Sequence, residues 1–92
     1  MKVEIEGVKY GSSMLIIHCT DGKQITISLY GNSAEVRRSF EAFAEKVRQM
    51  VGQMLEVVAD WRRKTLQIGH IIFAKPDDDG VTEINFTLPA IA

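Results

Sequence analysis

Between Ser33 and Arg63 the chain has no proline and one glycine, Gly52. Within that run Val36, Phe40, Phe43, Val47, Met50, Met54, Val57 and Trp61 recur at alternating spacings of four and three. That is the period of an apolar stripe along an α-helix. Asn32 stands where an N-cap belongs, with Glu35 three residues on as in a capping box. Arg62, Arg63 and Lys64 close the run, where cations suit the negative pole of a helix. The pattern predicts one long helix from Ser33 to about Arg63, with Gly52 as the one place where it could break.

Both flanks read as strands. Val3 and Ile5 alternate with Lys2, Glu4 and Glu6, a period of two. Met14 to Cys19 is an apolar run around His18, and Asp21-Gly22 marks a hairpin before Ile25, Ile27 and Leu29 alternate with polar residues. Leu66 to Ala74 is nearly all apolar, Pro76 to Gly80 reads as a turn, and Ile84, Phe86 and Leu88 alternate again. The expected fold is α+β, in the order β-β-β-α-β-β. An antiparallel sheet of four or five strands carries one long helix packed across one face. Ninety-two residues suit one domain, expected to span 1–92.

Charge and cysteine content narrow the class. Eleven basic against twelve acidic residues leave a net charge of −1, without the positive field that nucleic-acid coats and polybasic membrane binders need. One cysteine excludes an intramolecular disulfide framework. No apolar run approaches the ~18 residues of a membrane span, and the N-terminus lacks the apolar core of a signal peptide. A cytoplasmic protein with no membrane contact is expected.

The expected helix is too long for its sheet. Its residues would extend roughly 46 Å, against about 27 Å for strands of eight. Past Met50 the apolar stripe widens as Val51, Leu55 and Val58 join it, with Gly52 and Ala59 on the widened edge. Such surplus apolar surface marks an interface. The residues expected there are Arg48, Val51, Gly52, Leu55, Val58, Ala59 and Trp61, as the seam of a homodimer or a contact with another protein. The alternative is cover by a strand or by the C-terminal tail. The runs Met14–Cys19 and Leu66–Ala74 are apolar on both sides, so Met14, Ile16, Ile71 and Phe73 also become candidates for a partner-facing surface.

Candidates for chemistry are weaker. His18, His70 and Cys19 have no close chelating spacing, and Cys19 points away from His18 across the strand; buried, hydrogen-bonded histidines are the simpler reading. Asp77-Asp78-Asp79 lacks the alternating ligands of a calcium loop and reads as a solvated turn or an acidic contact. Arg62, Arg63 and Lys64 beside Trp61 could touch phosphates and stack a base, yet Glu35, Glu41, Glu45, Glu56 and Asp60 interleave with the basic residues as on a solvated face. No phosphate-binding glycine pattern or nucleophile elbow occurs, so neither an enzyme nor a cofactor is expected.

What remains is a non-enzymatic protein-protein interaction module. The expectation is a small homodimeric inhibitor or adaptor of the type represented by viral anti-defence and toxin-immunity proteins. Arg62, Arg63, Lys64, Asp77, Asp78 and Asp79 are its further partner contacts. Two alternatives stand beside it. One is a small-molecule or nucleotide pocket between helix and sheet or at a dimer seam. The other is single-strand nucleic-acid binding at the basic end of the helix.

Overall fold

The computed structural model describes residues 1–11, 13–31, 34–74 and 83–89. Its one helix among them, α1 (Ala34–Arg48), has 15 residues, half the expected length. It lies between three strands, β1 (Lys2–Tyr10), β2 (Met14–Cys19) and β3 (Gln24–Tyr30), and four more, β4 (Met54–Asp60), β5 (Thr65–Ile68), β6 (Ile71–Ala74) and β7 (Glu83–Thr87). They form a single antiparallel sheet in the order β6-β5-β4-β1-β2-β3-β7. The expected four- or five-stranded sheet under one long helix is therefore corrected to seven strands and a short helix.

The helix stops because the backbone tightens and then turns. Met50 and Val51 donate to the carbonyls of Val47 and Arg48, three residues back, and Gly52 takes φ 88, a region favourable only to glycine. Gly52 N–H then donates to Ile5 O, and Ile5 N–H to Gln53 O, which launches β4 alongside β1. The stretch after Met50 satisfies two periods at once. Its helical stripe is also an alternation of Leu55, Val57 and Ala59 against Met54, Glu56, Val58 and Asp60. Pairing with β1 and β5 selects the second. At 15 residues α1 is roughly 22 Å long, which removes the mismatch with the strands.

The run Leu66–Ala74 is likewise two strands. Gly69 and His70 form a two-residue turn, with Ile68 opposite Ile71. Gly69 has φ 60 while His70 stays at negative φ, the pattern of a type II′ hairpin. In β1 a bulge between Ile5 and Gly7 inserts Glu6 and reverses the alternation. Val3 and Ile5 point into the core before it, Val8 and Tyr10 after it.

One face of the sheet holds the core: Ile5, Leu15, Ile17, Ile25, Ile27, Leu29, Leu66 and Ile68 are fully buried. The principal packing of α1 is on β6 and β1, which stand three places apart in the sheet. The sheet must curl to bring both to one helix. Val36, Phe40, Phe43, Ala44 and Val47 are the helix's buried side. Phe73 anchors it, with ring centroids 5.9 Å from Phe40 and 5.3 Å from Phe43, while Tyr10 lies 5.4 Å from Phe40.

Candidate interaction surfaces

The residues expected on one helical edge are divided among four settings. Arg48 ends α1 and pairs with Glu45. Val51 and Gly52 lie in the following turn. Leu55 and Ala59 face the core side of β4, half-buried, and Val58 faces the opposite side, 52% exposed. Trp61 is exposed in the β4–β5 turn with Arg62, Arg63 and Lys64. The helical seam therefore does not exist, because the element that would carry it is a strand whose side chains alternate between faces.

The β4–β5 turn is built by Asp60. One of its carboxylate oxygens accepts the N–H groups of Arg62 at 3.0 Å and Arg63 at 3.1 Å, and Lys64 closes the turn at φ 55. The cations thus crown a tight turn rather than a helix end. Asp77, Asp78 and Asp79 lie outside the described residues, as does the expected Pro76–Gly80 turn.

The outer face of the sheet is uneven. Across β4-β5-β6, Val58, Gln67 and Ile72 lie in one row, by the pairings Val58↔Gln67 and Gln67↔Ile72. Ile72 is 61% exposed and Met54, on the same face of β4, is 64% exposed. Two strand spacings separate Val58 from Ile72, about 10 Å. Across β3 and β7 the same face carries the pairs Thr26↔Thr87 and Ser28↔Asn85, although Met14 and Tyr30 are exposed at its margin. Of the four core-strand residues considered for a partner surface, Ile71 and Phe73 are buried in the core instead.

Two depressions flank β6. One, of about 200 Å³, lies between Ser39, Ala42, Phe43 and Lys46 of α1 and Ile72, Phe73 and Ala74. The other, of about 620 Å³, shares Lys46 and Ile72 with it and continues past Gln49 to His70. A third, of about 590 Å³, is an open apolar cleft where Trp61 approaches Met1, Val57, Leu88 and Pro89. Taken as one continuous strand, Leu66–Ala74 leaves no groove along β6 to be expected. The alternation of Ile71 and Phe73 against Ile72 and Ala74, after a Gly-X pair, is the signal that could have found it.

His18 and Cys19 face opposite sides of β2. The His18 Nδ1 lies 3.4 Å from Gln24 Nε2, and its Nε2 is buried without a partner among the described residues. Cys19 is buried beneath the sheet, and burial, more than the nearby Asp21, pushes its thiol pKa up. His70 sits apart in the β5–β6 turn. Among the described residues no group of three or more His, Cys, Asp or Glu is placed to hold a metal ion, and no helix is long and apolar enough to cross a membrane. In comparisons with known protein families, curated proteins and solved structures, the chain matches none.

Proposed function

We propose that this chain is a non-enzymatic protein-binding module of the inhibitor or adaptor class, and that its contact surface is the outer face of β4-β5-β6. The observation that carries the reading is the apolar trio Met54, Val58 and Ile72, each more than half exposed on one side of three adjacent strands. Fully burying a side chain of this size stabilises a contact by about 1.5–3 kcal/mol, so three on one face favour cover by another protein. Gln67 between them supplies a polar group for register, although its amide already donates to Gly69 O at 2.9 Å. The basic turn at Arg62, Arg63 and Lys64 borders the same face and suits a partner with acidic residues at the rim.

A photo-crosslinking residue placed at Val58 or Ile72, and separately at Thr26 or Asn85, tests this in the cells that make the protein. Discrete protein adducts are expected from the first two positions and not from the second two. Adducts from all four alike, or from none, refute the assignment.

A further inference from the structure

Resting on that reading, we infer that the partner at the β6 edge is a second copy of this chain. The two β6 strands pair antiparallel about a two-fold axis through Phe73. The two α1 helices pass each other above it. The first support is the backbone. Ile68 and Ile71 close a two-residue turn, so they exchange both ladder hydrogen bonds, and Leu66 with Phe73 is the next such pair. The N–H and C=O groups of Ile72 and Ala74 therefore point to the open edge, where none of the described residues pairs with them. Pairing Ile72 with Ala74 of the second copy, and the reverse, uses all four of these groups in each chain. β6 is short, at four residues, but carries no proline, no charge and no bulge.

The second support is charge complementarity along the helix that borders this edge. Ser39, Ala42 and Lys46 line the groove beside β6, and Glu35 lies one helical turn before Ser39 on the same flank. A two-fold through the midpoint of Glu35 and Lys46 sets each acid against the other copy's base, and the same axis sets Ser39 against Ala42. That midpoint falls between Phe40 and Phe43, the two helix residues whose rings meet Phe73. Because both rings meet Phe73, one two-fold near Phe73 can serve both the charges on α1 and the backbone of β6. The pairing would also join the two outer faces, bringing Ile72 of each copy beside Ala74 of the other and doubling the apolar surface for a further partner.

The test is mass in solution by light scattering, with circular dichroism to verify folding. The wild-type chain is expected at twice its 10.3 kDa mass. Lys46→Glu and Glu35→Lys should each weaken the dimer about tenfold, since each reverses two symmetry-related pairs. The double variant should restore it to within about threefold, because opposite charges again face each other. Ile72→Pro removes an N–H that only the second copy uses and should give a folded monomer. A wild-type monomer at about 100 µM, far above the Kd of a functional dimer, overturns the inference. So does a dimer indifferent to these variants, or a double variant that stays dissociated. A monomer that still yields adducts at Val58 and Ile72 overturns the two-fold seam alone. A charge-sensitive dimer without adducts to other proteins sustains the seam and overturns the wider module.

Discussion

Gly69→Ala is the substitution whose cost the structure specifies most closely. Gly69 occupies the first central position of a type II′ turn with φ 60, and its N–H donates to Glu56 O at 2.8 Å, which ties the β5–β6 hairpin to β4. An added Cβ would lie 3.1 Å from Leu55 Cδ2. Holding alanine in this backbone conformation costs on the order of 1–3 kcal/mol, to which the Leu55 contact adds. Taking about 2 kcal/mol, and roughly 4–8 °C per kcal/mol for a domain of this size, Tm should fall by roughly 8–16 °C. Gly7→Ala is the control, because Gly7 has no positive φ and nothing within 4 Å of its Cβ position. It should change stability by no more than about 0.5 kcal/mol. Both are measured by urea unfolding and calorimetry, alone and in a Leu55→Ala background. In that background Gly69→Ala should cost less by at least about 0.5 kcal/mol, the coupling expected of residues in contact. A Gly69→Ala no worse than Gly7→Ala refutes the turn assignment, and a cost unchanged in Leu55→Ala refutes the contact.

The buried thiol and the phenol above the core give further tests. Because burial raises the Cys19 pKa, Ellman's reagent at pH ~8 should label the native protein at least about a hundredfold more slowly than the unfolded chain; labelling at the unfolded rate would show that β2 is not held in the sheet. Burial of Tyr10, then the hydrogen bond that its hydroxyl donates to Glu41 Oε1 at 2.9 Å, raises the phenol pKa. A raised folded-state pKa gives stability that is complete below the unfolded value of about 10 and is lost as pH rises through the folded one. The urea midpoint of the wild-type protein should therefore fall relative to Tyr10→Phe above pH ~10; a constant difference across that range would remove the linkage.

Much of the strand pattern could be read directly from the residues. Ile25, Ile27 and Leu29 alternate in the sequence and lie buried in β3, and Asp21-Gly22 turns the chain between β2 and β3 as a hairpin signal should. The apolar stripe of α1 through Val47 is equally plain, while the Asn32 cap lies outside the described residues. The end of α1 is not, because Val47, Met50, Met54, Val57 and Trp61 keep the helical spacing through residues that instead alternate in β4. Both patterns fit the apolar residues of this segment. Gly52 is the one weak point in the pattern, but only its φ of 88 and the bond from its N–H to Ile5 O show that the weakness is used. The error carried over to the candidate site. Leu55, Ala59 and Val58, close together on a helix, lie on opposite faces of a strand.

The sequence by itself determined which side chains are apolar and at what local period, and hence that the chain is an α+β arrangement of amphipathic elements. Local spacing fixes one face of an element only when a single period fits it. Tertiary structure decided the rest. Pairing with β1 and β5 chose strand over helix for Met54–Asp60. The bulge at Glu6 chose which β1 residues enter the core. The place of β6 at the edge of the sheet left Ile72 exposed while Phe73, its neighbour in sequence, is buried under α1. The pairing of β4 with β1 joins residues far apart in the chain, and in every case the outcome depends on a register that no local pattern encodes.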